Sequence, residues 1–352
     1  MSARQPTEPA SSVPRPRRLP ARLLPLLGLL VACGGAGALL YDEDRATSNA
    51  PIGAGVEAEA LRGGLADGQR ALREGDVAAA RRHLEAYLQQ EPKSWTAHYH
   101  LGLVHMEAGG FDLARAHLER AVALQPALYG GWSNLGVLYL EHGEEQAALN
   151  ALEQAHMVAP KDVRVLVNLG NARLRRGQWS DAIDAYQAAL VEAPNHASAL
   201  YNLGLAYSSR QRWAQALEAV DKAMVYRPGY AQARALRVVA LSHLGRIAEA
   251  IAEGEADLER IRPQVENHVA LGRALLLAGR KGDATERLRE AAALEPSSPL
   301  ARMTLGEVLD AAGDKAGAIA QYEAYLKLPK RRFEDARRLR RRQRELQAGA
   351  GA

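Results

Sequence analysis

Three histidines crowd one stretch of the chain, His98-x-His100-x4-His105, and they are its best metal candidate. On a helix His98 and His105 lie two turns apart. A zinc site needs a third and a fourth ligand, and no neighbouring residue supplies one, so the spacing predicts packed polar-aromatic side chains and no metal. Asn134, Asn168 and Asn202 recur at 34-residue intervals. An asparagine amide carries both a donor and an acceptor, enough to pair with both polar groups of a peptide backbone. Cys33 is the single cysteine, which excludes an intramolecular disulfide framework and a cysteine metal cluster. With no nucleophile elbow, phosphate-binding glycine loop or metal-ligand motif of the usual spacings, the sequence predicts neither a cofactor nor an enzyme.

Cys33 lies in an address segment. Residues 1–22 are proline-rich and basic, and Leu23–Tyr41 follow without a charge before Asp42, Glu43 and Asp44. A helix over that run is roughly 28 Å long at about 1.5 Å per residue, close to the thickness of a bilayer core. The basic side stays in the cytoplasm, so the rest of the chain is expected across the membrane. Two chemistries fit: an uncleaved signal anchor, or a lipoprotein signal in which Leu30-Val31-Ala32-Cys33 resembles a lipobox and Cys33 is acylated. The small and polar residues 42–60 read as a linker.

The charge is uneven. The total is +4 over 352 residues. Residues 1–22 carry +4 and residues 327–352 carry +7, leaving −7 for the body between them. An acidic body is a poor phosphate-binding surface, which argues against nucleic acid. Alanine and leucine dominate the apolar set and aromatics are only 5%, a composition that favours helix over sheet.

The body repeats every 34 residues. Proline recurs from Pro92 to Pro228 and again at Pro296, glycine from Gly68 to Gly204 and at Gly272 and Gly306, and alanine from Ala80 to Ala318 without a miss. Within one unit Trp132, Leu135 and Tyr139 form one helical stripe, Gly143 ends that helix, Ala148, Leu152 and Ala155 mark a second, and Pro160 punctuates the exit. Such a hairpin cannot bury its apolar face alone, so neighbouring units must stack.

Trp132-x2-Leu135-Gly136-x2-Tyr139, followed by Ala148, Leu152, Ala155 and Pro160, resembles the tetratricopeptide repeat (TPR) family. The resemblance covers eight contiguous units, 61–94 through 299–332. It implies an all-α, right-handed superhelical solenoid of helix-turn-helix repeats. Phe333, Ala336, Leu339 and Leu346 then form the apolar stripe of a basic capping helix within 333–352. The unit at 231–264 departs from the pattern, with Arg237-Val238 for Leu-Gly and with Gly254 and Asp257 in its second helix. Looser packing and a local change of pitch are expected there.

The resemblance also implies a concave groove lined by the first helix of each unit. Asn134, Asn168, Asn202, Tyr99, Tyr201 and Asn171 are the expected protein-binding residues, beside Leu103, Val137, Leu140 and Leu205. The partners implied are proteins or extended peptides, with the membrane reached through the N-terminus. The arginines of the last helix are expected to form a solvated face, or to meet anionic lipid or an acidic partner. The expected role is a tethered scaffold of a bacterial cell envelope, facing the periplasm, in assembly, secretion or polysaccharide export. The alternative is an accessory subunit of a membrane-associated enzyme such as a glycosyltransferase.

Overall fold

Each 34-residue unit has two apolar stripes separated by a glycine, and each folds as two antiparallel helices. The computed structural model describes residues 63–261, 264–328 and 333–348, among which there are 17 helices and no strand. The first helices of the eight pairs are α1 (Gly63–Arg73), α3 (Trp95–Glu107), α5 (Tyr129–Glu141), α7 (Val163–Arg175), α9 (Ala197–Ser209), α11 (Ala231–His243), α13 (Val265–Leu277) and α15 (Pro299–Ala312). The second helices are α2 (Val77–Gln90), α4 (Phe111–Leu124), α6 (Glu145–Val158), α8 (Trp179–Glu192), α10 (Trp213–Tyr226), α12 (Ile247–Arg260), α14 (Lys281–Leu294) and α16 (Lys315–Leu326). A final helix, α17 (Phe333–Ala348), closes the array. The solenoid expected from the repeats is the fold observed. The segments read as an address and a linker lie outside the described residues, and so does Cys33. Among the described residues no helix is long and apolar enough to cross a membrane.

Local chemistry sets the ends. Side chains of Ser94, Asp162, His196 and Ser298 accept backbone N–H groups at the starts of α3, α7, α9 and α15. The turn inside a pair needs a left-handed residue, as at Gly143 with φ 77°. The residue four places into a unit closes the connection behind it. Trp132 Nε1 donates to the Pro126 carbonyl at 2.9 Å, Arg234 Nε to that of Pro228 at 2.9 Å and Arg302 Nε to that of Pro296 at 3.1 Å. His98 Nε2 lies 3.3 Å from the Pro92 carbonyl. Histidine, tryptophan and arginine interchange here because each offers a planar N–H to a carbonyl that the helix end leaves unpaired.

Packing within a pair depends on a small residue opposite a large one. A Cβ added to Gly136 would lie 2.4 Å from Leu152 Cγ, so no larger residue fits without displacement. The unit at 231–264 reverses this pair. Val238 stands where the other units have glycine, and Gly254 stands where they have Leu, Tyr or Val. Val238 is buried, and a Cβ on Gly254 would come within 3.2 Å of Leu271 in the next unit. The expectation of looser packing is met within this pair, whose two helices touch less extensively than those of any other unit among the described residues. Helix α11 now packs directly against α13, where Asn267 Nδ2 donates to the Ala231 carbonyl at 3.0 Å. Asp257 is buried and paired with Arg234, while Arg237 meets Asp221 at 2.8 Å and Glu253 at 2.7 Å.

Candidate protein-binding groove

The first helices line the inner face of the solenoid, and cross-repeat hydrogen bonds hold them in register. Asn134 Nδ2 donates to Tyr99 Oη at 3.1 Å, and Asn168 Nδ2 donates to Ser133 Oγ at 3.4 Å. Asn202 Nδ2 donates to Asn171 Oδ1 at 2.9 Å, an oxygen that also accepts Tyr186 Oη at 2.7 Å. Arg273 continues the pattern with a 3.0 Å contact to Thr304 Oγ1. One amide N–H of each asparagine in the row is thus committed to the neighbouring repeat.

Exposure divides the inner face in two. Tyr99, His100, Leu103, Asn134, Val137 and Asn168 are half-buried, on α3, α5 and α7. From Asn171 onward the inward side chains are buried, including Tyr201, Asn202, Leu205, Leu236, Val239 and Thr304. The expectation that Tyr201, Asn171 and Asn202 present themselves to a ligand is corrected. Tyr201 packs on Tyr230 with ring centroids 5.0 Å apart, and the two asparagines bond to each other. Leu140 is buried as well. Consecutive first helices close on one another in the C-terminal half, where α11 meets α13.

The open part is polar at its edge. The carbonyl oxygens of Asn134 and Asn168 remain available as acceptors once their N–H groups are engaged. Burial pushes the Tyr99 phenol above its usual range, with Arg164 opposing, so the hydroxyl keeps its proton and can donate. Gly130 admits that hydroxyl, since a Cβ there would sit 3.3 Å from it. On α3, Thr96 Oγ1 and His100 Nδ1 are shielded from water without a hydrogen-bond partner. Burial, with Arg73 adding to it, pushes His100 down to about 4, so the ring is neutral at pH 7.

The three histidines do not converge. His100 faces the inner side, 2.9 Å from the Gln69 amide nitrogen. His98 and His105 pack on either side of His117, with centroids 5.2 and 5.5 Å away. The Nδ1 atoms of His98 and His117 are 3.0 Å apart. With ring centroids at 5.2 Å, the two nitrogens point at each other almost along one line. That is the geometry of an N–H···N bond, with no room for a metal between converging lone pairs. Among the described residues no group of three or more side chains is placed to hold a metal ion.

Sequence reasoning did not single out His117. Its signal was its place on the second helix of the unit, facing the two histidines of the first. Nor did it find a cleft of about 730 Å³ on the outer side, between α4, α5 and α6, floored by Trp132 and Tyr139 and edged by Glu119 and Glu153.

The basic helix α17 buries Ala336, Leu339 and Leu346 against the last units. Arg338 reaches Glu307 at 2.9 Å and Arg342 reaches Asp310 at 2.7 Å, so part of its charge is neutralised within the cap. The side chain of Phe333 lies outside the described residues.

Comparison with known proteins agrees with this architecture. A tetratricopeptide repeat family model matches residues 65–129, 102–162, 167–225 and 269–337. A crystal structure of a tetratricopeptide repeat protein from Parabacteroides merdae shares 19% identity, with a TM-score of 0.63 over 70% of this chain and 97% of that one. PilF of Pseudomonas aeruginosa shares 18% identity, with a TM-score of 0.50 over 60% of this chain and 97% of that one. At these identities the likeness speaks for the fold alone. No curated protein sequence matches the chain.

Proposed function

Because the chain belongs to the tetratricopeptide repeat family, whose members generally mediate protein–protein interactions, we propose that it is a non-enzymatic scaffold holding a partner protein along the inner face of α3, α5 and α7. The observation that carries this reading is the change in exposure at α7. On its N-terminal side the inner face keeps Tyr99, Asn134 and Asn168 half-open, with uncommitted polar edges. The two asparagine oxygens accept and the Tyr99 hydroxyl donates, so an extended peptide could satisfy its N–H and C=O groups along the row.

The membrane part of the proposal rests on the sequence. The uncharged run Leu23–Tyr41 behind Arg15, Arg17, Arg18 and Arg22 supports a tether, acylated at Cys33 or spanning the membrane once, that leaves the array on the periplasmic side. A scaffold so placed suits envelope assembly, secretion or polysaccharide export.

The test begins with crosslinking in intact membranes and mass spectrometry of what is captured. The double variant N134A/N168A is then compared with the parent for binding of the captured partner. Two lost hydrogen bonds at about 1 kcal/mol each predict roughly 30-fold weaker binding. Unchanged affinity in a normally folded variant would remove the groove as the binding face. Fractionation of Cys33→Ala tests the tether separately, because the acylated form then loses its processing.

A further inference from the structure

The three most exposed large apolar side chains among the described residues are Val191, Val225 and Met157, at 77%, 73% and 65%. They are not scattered. Each is the penultimate residue of the second helix of its pair, in α6, α8 and α10, at successive 34-residue steps. Val158 and Tyr226, the final residues of α6 and α10, are exposed beside them. The row ends sharply on both sides. The same place holds Gln89 and Ala123 before it, and Glu259 and Ala293 after it. A solvated helix end has no use for valine or methionine, and the units outside the row carry polar or small residues there.

We propose that this row is a homodimer interface, in which two copies of the chain pack the ends of α6, α8 and α10 antiparallel about a twofold axis passing beside Val191. An equally spaced row is self-complementary under such an axis. Val191 meets the partner's Val191, and Met157 with Val158 meets the partner's Val225 with Tyr226. Each of the five side chains exposes on the order of 100 Å², so the row offers roughly 500 Å² of apolar surface. That is about the apolar share of a standard interface, which buries about 800 Å² per partner. The row lies on second helices and the groove on first helices, so dimerisation leaves the inner face free and doubles the valency of the scaffold.

The test uses the full chain in mild detergent with Cys33→Ser, so that added cysteines are the only ones. Val191→Cys, oxidised with copper phenanthroline, is expected to form a disulfide-linked dimer, because a residue beside the axis meets its own copy. Leu294→Cys, equally apolar but outside the row, is expected to stay monomeric. V191K/V225K, with its helical circular dichroism unchanged, is expected to weaken the dimer at least 100-fold in sedimentation equilibrium. Crosslinking of Leu294→Cys as readily as Val191→Cys overturns the proposal, and so does an unaltered sedimentation mass for the lysine variant. In a parallel sample that keeps Cys33, a monomer in which Val191→Cys is joined to Cys33 within one chain also overturns it, because the chain's own N-terminal segment would then be the occupant.

Discussion

Gln211 has a φ of 58°, the only non-glycine residue at positive φ among the described residues. It fills the turn between α9 and α10 where seven other units place glycine at φ between 71° and 90°. A side chain in the left-handed region costs about 1 kcal/mol. Gln211→Gly is therefore expected to stabilise the chain by about that amount in urea unfolding, and Gln211→Val to destabilise it. At the same scale the asparagine row divides by burial. Asn134→Ala and Asn168→Ala act on the half-open face and change the melting temperature little. Asn202→Ala removes a hydrogen bond to the buried Asn171 oxygen, and is expected to cost about 1 kcal/mol of stability with no direct effect on binding. Thermal unfolding of the three single variants distinguishes the two classes.

Between elements, the reversed pair in the unit at 231–264 is the feature with the clearest consequence. By the repeat register Val238 and Gly254 stand at the facing positions of the pair, one gaining the volume that the other lacks. Gly254→Leu alone is expected to overpack against Val238 and Leu271, costing about 1–3 kcal/mol. Val238→Gly alone leaves a hole and a glycine within a helix, with a cost of similar size. The double variant V238G/G254L restores the arrangement of the other units, and its cost should be well below the sum of the two. Additive costs in a double-mutant cycle would show that the two positions do not share one space. The swap also explains the direct contact of α11 with α13, since the missing side chain at Gly254 lets Leu271 approach.

Over the whole molecule the two halves differ in packing and in ionisation. A single apolar cluster runs from Ala235 to Leu346 and joins the last three units to the cap, whereas the clusters before it each link neighbouring units. Acid should therefore act unevenly. In the N-terminal half burial pushes His117 down to about 4, with His98 and His105 adding to it, and holds His100 equally low. His98 is lowered by burial with Arg120 contributing, and His105 likewise beside Arg81 and against Glu85. The unfolded chain takes up these protons near pH 6.5 and the folded chain does not, so stability falls as the pH drops from about 6.5 to 4. In the C-terminal half burial raises the carboxyls of Asp257, Glu266 and Glu307. At these carboxyls the folded state holds protons that the unfolded chain has released, and acidification favours folding, opposed in the same half by His268, which burial pushes down. Hydrogen exchange at pH 7 and pH 5, corrected for intrinsic rates, should show α3 and α4 losing protection while α15 does not. Replacing His117 with Phe should reduce that loss.

The fold was legible because a 34-residue period imposes the same local solution in every unit. Stripes, glycine turns and prolines each act within one unit, and local chemistry is what a sequence displays directly. The positions of the asparagine row were legible for the same reason, but its accessibility was not. Whether Asn134 or Asn202 reaches solvent depends on how far each first helix is rotated against the next, which is set by side-chain volumes in the units between. The departures at Val238 and Gly254 are visible in the sequence, and only packing shows that this unit brings α11 directly against α13. The histidines follow the same logic. Their spacing along α3 was plain, but His117 on α4 became their neighbour only when the hairpin closed.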